Sequence, residues 1–203
     1  EMTKISMEKF NANLFLHPAI GITKAGDIDH FTRVRCYEYV IKKYPRSTAL
    51  LGLLPLAMRM GGPREALLHA IIRKNFGCSH FIIGRDHAGP GLNKEEEPFY
   101  PPYEAQDLVK QHEDEIGIKV IPFQFMVYVP KTNNYKALES LDANIEHKNI
   151  SGTELRKRLD NNEDIPEWFS FPEVVKELKK ARPPLNKKGL TIFFTGLSGS
   201  GKS

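Results

Sequence analysis

Three side chains able to bind or orient an anion stand together in Ile82-Ile83-Gly84-Arg85-Asp86-His87-Ala88-Gly89-Pro90-Gly91. Arg85 offers a planar fork of donors suited to phosphate or sulfate oxygens, and His87 is a neutral or cationic donor. The flanking glycines let the backbone adopt φ > 0 and approach a ligand closely. The loop follows a run of β-forming residues, and open α/β sheets bind ligands just beyond the carboxyl ends of their strands. The same ten residues also fit a glycine-rich surface turn carrying one ion pair, so the surrounding chain has to decide.

A second chemical signal lies at Gly196-Leu197-Ser198-Gly199-Ser200-Gly201-Lys202-Ser203, which matches G-x-x-x-x-G-K-[ST] in full. In this motif loop amides cradle phosphates, the lysine reaches the terminal phosphates and the hydroxyl of the last residue ligates Mg²⁺. Here those roles fall to Lys202 and Ser203. The run Leu190-Thr191-Ile192-Phe193-Phe194-Thr195 reads as the strand that must precede the loop.

The elements that would carry the first loop can be read in order. After a polar lead-in, Leu14 to Leu16 is a short apolar run that ends at His17-Pro18. Asp29 is placed to cap a helix that runs up to Lys42-Lys43, with His30 in its first turn. Leu50 to Leu56 is a continuous apolar run, the pattern of a strand or core segment buried on both faces. Pro63 suits the first position of a helix that ends at Gly77, and His69 falls on it as a packing residue. Arg59 and Arg64 flank Gly61 and Gly62, where they fit either a second anion contact or solvated arginines.

Phe81 to Ile83 is a short strand that delivers the loop. Residues 93–103, acidic and then proline-rich, read as an excursion over it. A polar helix is expected over 104–115, with Gln106, Asp107 and Glu113 on a solvated face. Lys119 to Val129 collects β-formers and predicts one strand. Ser151 to Glu154 is a capping-box pattern that opens a short basic helix, and a last helix starts near Pro172, with Trp168 and Phe169 as its anchors.

Composition excludes several classes of function. The chain has 203 residues, 40% of them hydrophobic, enough for a core, and no apolar run near the roughly 18 residues of a membrane span. A net charge of +4 suits anionic small molecules, but the basic residues are interspersed with acidic ones, so neither nucleic acid nor membrane is expected as a partner. Cys36 and Cys78 lack pairing or metal spacing, which favours a reduced, cytoplasmic compartment and no zinc. The chain opens without an initiator Met and closes within the lysine motif, and so reads as a fragment.

Taken together, the motifs make the chain resemble a bifunctional ATP sulfurylase (sulfate adenylyltransferase) and adenylylsulfate (APS) kinase. Gly84 to Gly91 matches the sulfurylase sequence Gly-Arg-Asp-His-Ala-Gly-Pro-Gly. Thr23 to Asp27, Gly62 to Ala66, Pro102 to Gln106 and Ile150 to Thr153 also resemble that family, while Phe193 to Ser203 is similar to its APS kinases. The resemblance implies an α/β fold: a partial Rossmann-like nucleotidyltransferase domain over residues 1–130 and a small α/β subdomain over 131–181. A linker over 182–189 and the first strand and P-loop of a kinase over 190–203 would follow. It also implies adenylyl transfer from ATP to sulfate, giving APS and pyrophosphate, and phosphorylation of APS to PAPS. The expected ligands are ATP, sulfate, APS and Mg²⁺, and the assembly a homo-oligomer.

Carried over by motif, Gly84, Arg85, Asp86 and His87 would contact nucleotide and Ala88 would give a backbone amide to sulfate. Met126 would meet adenine through its main chain, with Phe123 close to the histidine-bearing motif. Because APS formation is unfavourable, a tethered kinase draws the first step forward by consuming its product. The family's second catalytic motif, Gln-Thr/Ser-Arg-Asn-Pro followed by two histidines, does not occur in these residues. Its catalytic residues are therefore expected before Glu1, and no APS synthesis is expected from these 203 residues alone. Two other readings remain open here: a different adenylyl transferase, and a nucleotide-binding regulatory module without turnover. Replacing Lys202 with Ala in the intact protein is expected to abolish APS-dependent ATP consumption; unchanged consumption would favour the regulatory module.

Overall fold

The computed structural model describes residues 1–21, 28–183, 192, 193 and 195. Its strands form three small two-stranded sheets. β1 (Leu14–Leu16) pairs in parallel with β2 (Ala49–Leu51), and β3 (His80–Ile83) in parallel with β4 (Lys119–Pro122); β5 (Met126–Val129) pairs antiparallel with β6 (Asn134–Ala137). Parallel pairs need crossovers. The first is made by α2 (His30–Ile41), and the second by α4 (Glu104–Gln111) with α5 (Glu113–Ile116). This is the mixed α/β architecture expected.

Local sequence explains where several helices begin. Asp29 caps α2, its carboxylate accepting from Thr32 N at 3.0 Å and Thr32 Oγ1 at 2.7 Å. Pro63 opens α3 (Pro63–Asn75), and Gly77, at φ 86°, follows its end. Ser151 caps α6 (Gly152–Asp160) through Glu154 N, whereas the Glu154 carboxylate turns forward to Arg158, so the capping box is half formed. Pro172 opens α7 (Pro172–Ala181). The polar lead-in is itself a helix, α1 (Met2–Phe10), stopped by Asn11 in the left-handed region.

Two hydrophobic cores hold these elements. In the first, Ala66 and Ala70 of α3 and Ala105 and Val109 of α4 close on Ile83 and Ile118. Alanines at the crossing let α3 and α4 approach closely, and burial of the larger members contributes about 1.5–3 kcal/mol each. In the second, Leu159 of α6, Ile165, and Val174 and Leu178 of α7 pack with Cys36, Tyr39 and Val40 of α2. Arg35–Glu177 at 3.1 Å and Lys43–Glu173 at 3.0 Å tie α2 to α7 along the rim.

Three expectations are corrected. The Leu50–Leu56 run is not a strand buried on both faces: only Ala49 to Leu51 pairs, Leu50 is 66% exposed, and Leu54 alone is buried. A two-stranded sheet leaves one face open, and Gly52, whose N–H goes to Leu16 O, stands flat against the Phe15 ring. Residues 119–129 are two strands in different sheets. The ladder with β3 ends at Phe123, whose N–H donates to Ile83 O, and side chains take the next backbone groups: Gln106 donates to Phe123 O, and Phe125 N donates to Tyr103 Oη.

The helix expected over 104–115 breaks at His112, and its polar face is not all solvated. Asp107 is exposed, but the Glu113 carboxylate accepts from Val120 N at 2.5 Å. Gln106 is buried, and its amide donates to Ile83 O at 3.0 Å and Phe123 O at 2.8 Å. One side chain thus joins the end of β3, which launches the candidate loop, to the segment after β4. Gln106→Leu strips Phe123 O of its donor and leaves Ile83 O with the Phe123 N–H alone, without opening a cavity, and is expected to cost roughly 1–3 kcal/mol, read as a lower urea midpoint; an unchanged midpoint would refute this role for the amide.

Candidate functional site

The loop leaves β3 at Ile83 and folds back on itself through two left-handed residues, Asp86 at φ 52° and Ala88 at φ 54°. Aspartate tolerates that region; alanine pays for it, and such positions persist only where their surroundings enforce them. The enforcement is visible. Asp86 N donates to Pro102 O at 2.8 Å, Gly89 N to Asp86 O at 3.0 Å, and Gly62 N to Ala88 O at 2.8 Å. Among the described residues no acceptor takes the N–H groups of His87 and Ala88. Successive free amides in a turn of this kind form an anion-binding concavity.

The partner turn at Arg59 to Gly62 is held by a buried carboxylate. Arg59 N and Gly61 N donate to Glu65 Oε1 and Oε2 at 2.8 and 2.7 Å. Met60 at φ 55° and Gly62 at φ 62°, ψ −132° give this turn its shape. A Cβ at Gly62 would fall 2.5 Å from the Tyr100 ring, so glycine is required both by its backbone conformation and by the close approach of the ring. Tyr100 belongs to the excursion expected over the loop. Phe99, Tyr100, Pro101 and Pro102 do wall a cavity of about 400 Å³ whose other side is Gly62, Arg85, Asp86 and His87.

Arg85 is half exposed, pairs with Asp86 at 3.0 Å and lies 5.3 Å above the Phe125 ring. Cation–π contact orients the guanidinium without using its donors, leaving the remaining N–H groups for a ligand. His87 turns the other way. Its Nε2 lies 3.1 Å from His69 Nδ1, and its ring meets Phe81 edge-on at 5.6 Å. Burial, the neighbouring His69 and the Arg73 charge push its pKa down to about 4. His69 is 3% exposed, and burial, then Arg73, lowers its pKa too. Both imidazoles are therefore neutral at pH 7, and the Glu65 carboxylate 3.7 Å from His69 Nε2 faces a neutral ring.

The structure brings Gly84, Arg85, Asp86, His87 and Ala88 to one loop beside Gly62. It does not bring Met126 into that cavity. Met126 faces a different hollow, with Tyr103, Gln106, Phe123, Gln124 and Tyr135. Phe123 sits at the end of β3, its N–H on Ile83 O at 3.0 Å. Arg59 and Arg64 are exposed. Thr23 to Asp27 and Gly196 to Ser203, including Lys202 and the Mg²⁺ position at Ser203, lie outside the described residues. Glu65, His69 and Tyr100 were not legible as site residues. The available signal was the Glu65, His69, Arg73 series at i, i+4, i+8, one face of α3.

The ATP-sulfurylase family model matches residues 1–181. The chain belongs to the ATP-sulfurylase family. It is 56% identical over 202 residues to a sulfate adenylyltransferase of Phaeosphaeria nodorum and 56% over 203 residues to that of Coccidioides immitis; each alignment covers 100% of this chain and 35% of the relative. A solved structure described as a hexameric APS kinase from Thiobacillus denitrificans superposes with a TM-score of 0.74 at 33% identity, over 98% of this chain and 36% of that one. This ATP-sulfurylase family chain thus spans about a third of the length of the curated relatives it matches.

The depressed histidines set an acid limit on the site. An unfolded histidine takes a proton near pH 6.5, whereas folded His87 resists until about pH 4. Between those values the unfolded chain binds more protons, so the contribution is complete above pH 6.5 and is lost as pH falls towards 4, at up to about 1.4 kcal/mol per pH unit for one proton. His87→Asn is expected to flatten the dependence of the melting temperature on pH across that window, and an unaltered slope would show that His87 is not the group responsible.

Proposed function

We propose that this chain supplies one wall of a site for adenylyl transfer from ATP to inorganic sulfate, giving APS and pyrophosphate, in a protein that also carries an APS kinase. The observation that carries the reading is the Gly84–Gly91 loop, with Arg85 held over Phe125 and the His87 and Ala88 amides without acceptors among the described residues, in a chain of this family. Sulfate attacks the α-phosphorus and pyrophosphate leaves. Such transfers depend on positioning and charge stabilisation, which preorganised amides and a guanidinium provide.

In this reading Gly84, Arg85, Asp86 and His87 contact the nucleotide, Ala88 N–H meets a sulfate oxygen, and the Met126 main chain meets adenine from the neighbouring hollow. Gly196 to Ser203 is the phosphate loop of the kinase, where the Ser203 hydroxyl would hold Mg²⁺. The domain division at residues 130, 181 and 189 belongs to the same reading, with α2 joining the core of α6 and α7 across its first boundary. The hexameric Thiobacillus denitrificans structure supports a homo-oligomer.

The test is ATP–pyrophosphate exchange by the intact protein. Exchange should require sulfate and fall about 10²- to 10³-fold in Arg85→Ala, the loss typical of one charge-stabilising donor. Exchange that ignores sulfate would instead assign another adenylyl acceptor.

A further inference from the structure

Behind the loop, three polar side chains form a line that the adenylyl-transfer reading does not use. Glu65 Oε1 and Oε2 each accept a backbone N–H, from Arg59 and Gly61, so the carboxylate is fixed in place in the protein interior. Its Oε1 lies 3.7 Å from His69 Nε2, a buried nitrogen with no hydrogen-bond partner among the described residues. His69 Nδ1 in turn lies 3.1 Å from His87 Nε2.

A neutral imidazole carries one proton, on either nitrogen. If His69 held it on Nδ1, the Nε2 lone pair would face an anion inside the protein, where repulsion is poorly screened. With the proton on Nε2, the N–H dipole points at the carboxylate and Nδ1 becomes an acceptor. The atom facing that acceptor must then donate, so His87 holds its own proton on Nε2. A second proton on either ring is opposed by Arg73, one turn along α3, which spans His69 O at 3.5 Å and His17 O at 3.1 Å. Phe81, the ring packed edge-on against His87, supplies no hydrogen-bonding group.

We propose that Glu65 and His69 are positioning residues that lock His87 as its Nε2–H tautomer, so that His87 meets the nucleotide through the Nδ1 lone pair and accepts a hydrogen bond from a hydroxyl or amino group. His87 lines the loop cavity, and its Nδ1 has no partner among the described residues. Phosphate and sulfate oxygens are acceptors themselves and go to Arg85 and the loop amides. The division of labour rests on the nucleotide reading of the loop; the tautomer does not.

Ring-¹⁵N NMR of the intact protein at pH 7 tests it. Both His69 and His87 are expected as Nε2–H with a pyridine-like Nδ1; His87 protonated on Nδ1, or on both nitrogens, would overturn the proposal. His69→Asn places Oδ1 where Nδ1 stood, and is expected to keep the His87 tautomer and an ATP KM near that of the parent. Glu65→Gln removes the charge, and His69→Leu the acceptor. Both are expected to shift His87 towards Nδ1–H and raise the ATP KM several-fold with a smaller change in kcat. Unmoved tautomers in both would refute the relay. The expected tautomers in a protein without sulfate-dependent exchange would sink the proposed function and leave the relay standing, and exchange with an Nδ1–H His87 would do the reverse.

Discussion

The structure around the site depends on a buried carboxylate that is fully occupied. Burying Glu65 without partners would cost several kcal/mol, and the protein meets that cost with the Arg59 and Gly61 N–H groups. Those bonds fix the turn ahead of α3, which presents Gly62 N–H to Ala88 O and so holds alanine in a conformation it does not choose. The turn ahead of one helix and the loop after the next strand are one hydrogen-bonded object. Its rigidity does not come from the loop's own glycines.

The same economy recurs at Gln106, where one amide satisfies two carbonyls at the ends of β3 and β4. Both are buried polar side chains that bond to backbone groups at the ends of the secondary structure, Phe123 O and the Arg59 and Gly61 N–H groups among them, a device that specifies geometry because each unmade bond is expensive. The strands themselves are too short for this. With three or four residues each, their ladders fix direction, while Glu65 and Gln106 fix where the chain goes next.

Arg85 and His87, two residues apart, end in opposite environments. Arg85 lies over an aromatic face with solvent beyond it, so its charge stays available. His87 turns inward to His69 and is held neutral by burial and Arg73. In the proposed reading a loop that meets an anionic nucleotide would gain from this separation: charge is concentrated in one side chain and the loop amides, and the imidazole would be left to recognise a neutral group.

Sequence alone was enough for whatever depends on short-range chemistry. Asp29, Pro63, Gly77, Ser151 and Pro172 mark helix ends because capping and backbone preference act within four residues. Gly84 to Gly91 reads as a candidate ligand loop from its residue types and order once the other motifs of the family resemblance stand beside it. Tertiary structure alone decided that Gln106 is buried, that residues 119–129 divide between two sheets, and that His69 meets His87 of the candidate loop as well as packing within α3. In each case the deciding partner is distant in sequence: Gln106 reaches back 23 residues to Ile83, and His69 reaches forward 18 to His87. Periodicity says which face of a helix a residue occupies. It does not say what that face meets, and the protonation and exposure of a polar side chain are set by what it meets.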